Sequence, residues 1–84
     1  MKSVFEKNVK VKIGEIYEHY KGKRYKILNL AFYSEDPENI MVIYEALYVD
    51  PKFGKHPIWA RPLKMFEEKL EINSKTIPRF KKID

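Results

Sequence analysis

Three residues in the first half of the chain have side chains that could perform hydrolytic chemistry. His19 could act as a general base, Ser34 as a nucleophile and Glu35 as the group that orients the imidazole. Such a mechanism needs the three side chains within about 3 Å of one another. Their spacing matches no hydrolase signature such as G-x-S-x-G. The residues therefore favour a non-catalytic protein, and a small enzyme that uses His19, Ser34 and Glu35 is the third hypothesis.

The first hypothesis is a ligand-binding groove lined by aromatic residues and an arginine. Trp59 is followed two residues later by Arg61, whose planar guanidinium can hold a carboxylate or phosphate group through two hydrogen bonds. The alternative is that most aromatic side chains in such a small domain simply form its core. We expect a small molecule or peptide to contact these candidate ligand-binding residues: His19, Tyr20, Ser34, Glu35, Trp59 and Arg61.

The second hypothesis is nucleic-acid binding by the basic residues around one glycine. Tyrosines that could stack on bases lie among them, and a net charge of +5 suits an anionic partner. However, the net charge is +5 over residues 1–30, −5 over residues 31–50 and +5 over residues 51–84. The acidic block would repel phosphate if it shared a face with the basic residues. The candidate nucleic-acid-binding residues are Lys21, Lys23, Arg24 and Lys26.

The composition argues against several classes of protein. The chain has no cysteine, so it has neither disulfides nor thiolate zinc ligands, and its two histidines, His19 and His56, are far apart. We therefore expect no metal site and no cofactor. The start of the chain, MKSVFEKNVK, lacks the apolar core of a secretory signal, and no segment approaches the roughly 18 apolar residues of a membrane span. We expect a cytoplasmic protein with no membrane partner.

Short strands separated by turn signals predict an all-β domain. The stretch VKVKI at residues 9–13 alternates apolar and charged residues, which predicts a strand. The stretches EIYEHY and RYKILNLAFYS predict a hairpin in which Gly22 takes a positive φ. The polar stretch SEDPEN at residues 34–39 predicts a turn before the strand IMVIYEALYV. Both long strands have apolar residues on both faces, which predicts a strongly bent sheet that closes on itself.

The second half of the chain predicts further short elements. Residues 50–57 predict a loop and IWAR a strand. A short helix follows from Pro62, with Leu63 and Phe66 covering one end of the barrel and Met65 filling irregular space. KLEI and TIPRF flank the turn NSK. We predict one domain over residues 1–84, with residues 1–11 as a lead-in and residues 12–81 as a barrel or roll of about five to six strands.

Five motifs occur in a fixed order over about residues 12–81: GEIYEHYKGKRY, AFYSE, YEALY, ARPLKMF and PRF. Together they resemble a small bacterial family catalogued as domain of unknown function 1653. The resemblance implies an SH3-like barrel and supplies no activity, ligand or partner. Relatives typically read HSET where this chain reads Tyr33-Ser34-Glu35-Asp36. A tyrosine therefore replaces a histidine that could serve as a ligand or base.

The residues and the resemblance together predict a bacterial, cytoplasmic, SH3-like module with one short helical turn near residues 62–66. We expect it to bind a small molecule or peptide without catalysis, with nucleic-acid binding as the alternative. Exposed strand edges allow a monomer or a weak homodimer.

Overall fold

The chain folds into short antiparallel strands and one short helix. The computed structural model describes residues 9–84, and within them it contains nine strands and one helix. The all-β prediction with one short helix is confirmed. In chain order the elements are β1 (Ile16–His19), β2 (Arg24–Tyr33), β3 (Asp36–Ala46), β4 (Val49–Asp50), β5 (Gly54–Lys55), β6 (Ile58–Pro62), α1 (Leu63–Phe66), β7 (Lys69–Ile72), β8 (Lys75–Pro78) and β9 (Phe80–Lys82).

The main sheet has five antiparallel strands in the order β6-β3-β2-β1-β9, while β4–β5 and β7–β8 form two separate hairpins. These hairpins account for strands beyond the predicted five to six. The predicted closure into a barrel is absent, because β6 and β9 remain the edges of the sheet. The sheet nevertheless bends, since Arg61 on β6 lies 5.3 Å from the ring centroid of Phe80 on β9. The SH3-like designation stays a prediction.

A bulge in β2 sets which apolar residues face the core. Ile27 pairs with Tyr44, but the next pair joins Asn29 to Ile43, so one extra residue lies in β2. An extra residue reverses the face on which the following side chains lie. Ile27 and Leu30 are therefore both buried although they are three residues apart, which simple alternation does not predict.

The predicted turn over residues 34–39 is shorter in the structure. Only Ser34 and Glu35 form the turn, because Tyr33 already pairs with Asp36 at the start of β3. The neighbouring pair joins Phe32 to Ile40, so residues 37–39 of β3 have no partner in β2. Proline is tolerated in such an unpaired, bulged segment because no ladder hydrogen bond is lost there.

The predicted strand over residues 9–13 is also wrong. Val9 and Val11 are buried and the lysines between and after them are exposed, so the alternation gave the burial correctly. The segment runs into a turn instead of a strand, in which the Glu15 N–H donates to the Lys12 carbonyl at 3.2 Å and the Lys12 N–H donates to the Glu15 carboxylate at 2.7 Å. Residues 1–8 of the predicted lead-in lie outside the described residues.

Aromatic side chains dominate the core on the inner face of the sheet. Phe66 is 1% exposed and stacks on Phe80 with ring centroids 4.2 Å apart, while Tyr17 and Tyr44 meet the Phe66 ring edge-on. Met65 is instead 46% exposed, because it lies on the outward side of α1, so its predicted packing role is wrong. No helix among residues 9–84 has the length and apolar character needed to cross a bilayer.

Candidate functional site

An open pocket of about 270 Å³ lies on the inner face of the sheet, with walls from both edge strands. Trp59 pairs with Tyr44 and Arg61 with Val42, so the two β6 side chains share the face of these buried β3 residues. The β1–β9 pairing brings His19 beside Phe80. The lining residues are His19, Tyr25, Tyr44, Tyr48, Trp59, Ala60, Arg61 and Phe80.

Arg61 is held in a defined orientation in this pocket. Its Nε donates a hydrogen bond to the hydroxyl oxygen of buried Tyr44 at 3.1 Å, and its guanidinium lies against the Phe80 ring. Within residues 9–84, no carboxylate pairs with Arg61 and no acceptor binds its two Nη groups. A partly buried cation is thus fixed by a hydroxyl and an aromatic ring, with its terminal donors available.

Neutral hydroxyl groups form another part of the lining. The hydroxyl oxygens of Tyr25 and Tyr48 are 2.8 Å apart and share a hydrogen bond. Burial, together with this hydrogen bond, raises the pKa of Tyr25. The Tyr25 hydroxyl therefore remains protonated at neutral pH. At the rim, the Lys23 amine lies 4.2 Å from the centroid of the Tyr48 ring.

His19 presents a neutral imidazole at the β1–β9 side of the pocket. Its Nδ1 accepts a hydrogen bond from the Lys21 backbone N–H at 3.2 Å, so the neutral ring carries its proton on Nε2. Burial is the main cause that lowers the pKa of His19, and the positive charges of Arg61, Arg79 and Lys21 lower it further. The ring packs edge-on against Phe80, which fixes its position.

The electrostatic character of the pocket is positive. No acidic residue lines it, and the positive charge of Arg79, which is not a lining residue, also contributes to lowering the pKa of His19. Arg79 donates through Nη2 to Glu68 at 2.6 Å, while its buried Nε has no partner in the described part of the chain. A concave site lined by positive charge and low-dielectric walls raises the local concentration of anions.

The pocket contains three of the six predicted ligand-binding residues: His19, Trp59 and Arg61. Tyr20 lies against the His19 ring but points outward and is 39% exposed. Ser34 and Glu35 form the β2–β3 turn and do not line the pocket. Glu18, next to His19, pairs with Arg24 at the opposite end of β2, so Ser34 lies roughly 30 Å from His19 at the usual rise per residue. The structure does not bring Ser34 and Glu35 together with His19, Trp59 and Arg61.

Five lining residues were not among the six predicted: Tyr25, Tyr44, Tyr48, Ala60 and Phe80. Phe80 contacts both His19 and Arg61. It lies between Arg79 and Lys81 and is the buried residue of β9. An isolated apolar residue among charged ones in a short strand normally faces the core. That signal was available, but its position beside His19 depends on the pairing of β1 with β9, which no local pattern determines.

The predicted nucleic-acid-binding residues do not form a continuous basic face. Arg24 makes a 3.2 Å ion pair with Glu18, and Lys26 lies directly opposite Glu45 in the β2–β3 pairing. Carboxylates at these positions oppose the approach of phosphate groups. Lys21 and Lys23 lie over tyrosine rings near the pocket. Nucleic-acid binding stays a prediction that this arrangement does not favour.

A second cavity of about 270 Å³ lies near the other end of β3 and has an acidic character. Its lining residues are Asp36, Glu38, Asn39, Pro62, Lys64 and Met65. Across residues 9–84, no group of three or more histidine or acidic side chains is arranged to hold a metal ion.

Comparison with known proteins identifies the family. The model of the family described as Protein of unknown function (DUF1653) matches residues 15–82. The chain belongs to this family. A crystal structure of a DUF1653 protein from Bordetella bronchiseptica is 30% identical in sequence, with a TM-score of 0.73 and 88% of each chain covered. The search of curated proteins gave no match. The resemblance predicted from the five motifs is confirmed, and the DUF1653 description carries no activity.

Proposed function

We propose that this DUF1653 protein is a non-catalytic module whose aromatic pocket binds a carboxylate or phosphate group of a small molecule or peptide. One observation carries the proposal. The guanidinium of Arg61 is fixed by Tyr44 and Phe80, and within residues 9–84 it has no acidic partner.

The guanidinium of Arg61 is a partly buried cation without a counter-charge in the described part of the chain. Removing part of a guanidinium from water is unfavourable unless an anion or hydrogen-bond acceptor compensates it. A bound carboxylate or phosphate would accept two parallel hydrogen bonds from Arg61. Because Tyr44 and Phe80 already fix the side chain, little of its conformational entropy remains to be lost on binding. The apolar part of the ligand would contact Trp59 and the tyrosine rings.

The absence of a suitable nucleophile supports binding rather than covalent catalysis. No serine, threonine or cysteine lines the pocket, and the hydroxyl groups in it belong to tyrosines. Tyr25 has a raised pKa, which opposes formation of a reactive phenolate. The Nε2–H group of neutral His19 would donate a hydrogen bond to the bound anion.

The single tryptophan of the chain provides the experiment, because Trp59 lines the pocket. Fluorescence of Trp59 would be followed while the protein is titrated with phenyl phosphate, benzoate or the neutral benzyl alcohol. We expect saturable changes with both anions and much weaker binding of the alcohol. Arg61→Gln should weaken anion binding by about tenfold or more, since a charge-assisted pair is lost.

Arg24→Gln is the matched control, because this exposed arginine already pairs with Glu18 and does not line the pocket. Its anion affinity should equal that of the wild type. Circular dichroism would establish that both variants fold. Equal affinity for benzoate and benzyl alcohol, or unchanged anion binding by a folded Arg61→Gln protein, would refute the proposed function.

A further inference from the structure

Strand β6 presents an open backbone edge directly beside the pocket. β3 lies on one side of it, and no strand from residues 9–84 lies on the other. The Ala46 N–H donates to the Pro57 carbonyl at 2.8 Å, which sets the alternation of the β3–β6 ladder. The backbone groups of Trp59 and Arg61 therefore point toward β3, and those of Ile58 and Ala60 point away from the sheet.

The outward backbone groups are available for pairing. No residue in the described range 9–84 forms a hydrogen bond with the outward N–H or C=O groups of Ile58 and Ala60. Pro57 and Pro62 border this edge, and prolines limit how far a pairing strand extends. The open edge is thus long enough for a short extended segment and too short for continuous association of strands.

A strand that paired with the open edge of β6 would also place side chains beside the pocket. On an added antiparallel strand, the residue opposite Arg61 lies on the same face, with its Cβ about 4.5–5.5 Å from that of Arg61. An acidic side chain at this position reaches the guanidinium. The residues opposite Ile58, Ala60 and Pro62 would cover the opposite face of β6, where Ile58 is 62% exposed.

We propose that the ligand of this pocket is an extended acidic peptide that adds to β6 as an antiparallel strand and places a carboxylate on Arg61. The inference rests on the proposed function, because it takes Arg61 as the anion-binding group. Backbone hydrogen bonds at Ile58 and Ala60 give affinity for any extended chain, whereas the pocket selects the acidic side chain. A small carboxylate would satisfy Arg61 alone and leave the β6 edge unused.

The test compares the peptide acetyl-VEVTV-amide with acetyl-glutamate methylamide, which carries the same side chain without the strand. When the glutamate of this peptide lies opposite Arg61, its second valine lies opposite Ala60 and its third opposite Ile58. Trp59 fluorescence gives both affinities. The ladder hydrogen bonds should make the peptide bind about tenfold more tightly, a difference of about 1.4 kcal/mol. Hydrogen exchange of the Ile58 and Ala60 amides should slow when the peptide binds. Replacing the glutamate of the peptide with glutamine should remove the dependence of binding on Arg61.

N-methylated peptides give the matched control without altering the protein. In the proposed pairing, the N–H groups of the three valines face β6 and that of the glutamate faces solvent. Methylation of the valine amides should abolish the tenfold gain, and methylation of the glutamate amide should leave it intact. The protein variant Ile58→Pro, which removes an outward N–H at an exposed residue that does not line the pocket, should also reduce the gain while it still binds benzoate.

The outcomes separate the two proposals. If the peptide and acetyl-glutamate methylamide bind equally and both depend on Arg61, the strand proposal is wrong and the proposed function stands. If neither they nor benzoate bind, both are wrong. If Ile58 and Ala60 are already protected in a protein that sediments as a dimer, the occupant of the edge is a second copy of the chain, which overturns the peptide proposal.

Discussion

The two cavities near β6 and α1 have the same volume, about 270 Å³, but differ in how their polar groups are held. In the aromatic pocket, Arg61 is fixed by a buried tyrosine and a phenylalanine ring. In the acidic cavity, Asp36 and Glu38 are exposed residues on β3, and Glu38 lies where that strand has no partner in β2. The two cavities therefore differ in how their charged groups are held and not in size.

Helix α1 contributes residues to both regions, so substitutions in this helix compare the two cavities directly. Phe66 lies beneath the aromatic pocket and stacks on Phe80, while its neighbour Met65 lines the acidic cavity and is largely exposed. We expect Phe66→Ala to lower the free energy of unfolding by about 3–5 kcal/mol and Met65→Ala by less than about 1 kcal/mol. Urea denaturation measures both. If the two variants lost similar amounts of free energy of unfolding, Phe66 and Met65 would be equally well packed, which would contradict the difference between the two cavities.

The two hairpin turns beside these regions should also differ. Gly22, in the turn that follows His19, has a φ of 102°, and no atom lies within 4 Å of a Cβ added there, so a substitution costs backbone strain alone. Gly22→Val should destabilise the protein by about 1–2 kcal/mol. Ser34→Ala, in the turn near the acidic cavity, should change stability by about 0.5 kcal/mol or less. An unchanged melting temperature for Gly22→Val would contradict the turn geometry.

A pH titration probes a property that only the aromatic pocket should have. The pKa of His19 is lowered by burial and by Arg61, Arg79 and Lys21, so the imidazole is neutral at neutral pH. As the pH falls through this lowered value, protonation adds a positive charge to the pocket. Benzoate should then bind more tightly as the pH is lowered through the His19 titration, for as long as benzoate itself stays ionised. In His19→Gln the affinity should be independent of pH; an unchanged pH dependence would exclude His19 as its source.

The smallest expected effect concerns the acidic cavity. Glu38→Gln removes one negative charge from that cavity, four residues along β3 from Val42, which pairs with Arg61, or about 13 Å at the usual rise per residue. At physiological ionic strength, exposed charges separated by more than about 8 Å are largely screened. The benzoate affinity of the aromatic pocket should therefore change by less than about twofold. A large gain in affinity would show that the two cavities act on the same ligand.

The sequence predicted which residues are buried better than it predicted which backbone segments pair as strands. Alternation at residues 9–13 gave the burial of Val9 and Val11 correctly, because period two reports which side chains avoid water. It did not predict that the segment runs into a turn instead of a strand, because alternation reports burial and not backbone pairing. The sequence pattern did not predict the bulge after Ile27 either, because the bulge depends on the register between β2 and β3.

The candidate site was predictable where it depends on local spacing. Trp59 and Arg61 are two residues apart in a strand, so their shared face follows from the sequence. His19 reaches the same pocket through the pairing of β1 with β9, which lies near the other end of the described chain. Ser34 and Glu35 were placed in the site by residue type alone, and residue type carries no information about distance.

The most direct measurement is an NMR titration of ¹⁵N-labelled protein with phenyl phosphate, read at both cavities at once. We expect saturable chemical-shift changes at the Trp59 indole N–H and the Arg61 Nε–H, and no change at the amides of Asp36 and Lys64. In Arg61→Gln the shift changes at Trp59 should be much weaker. Shifts confined to the acidic cavity, or a response that persists at full affinity in a folded Arg61→Gln protein, would contradict the proposed function.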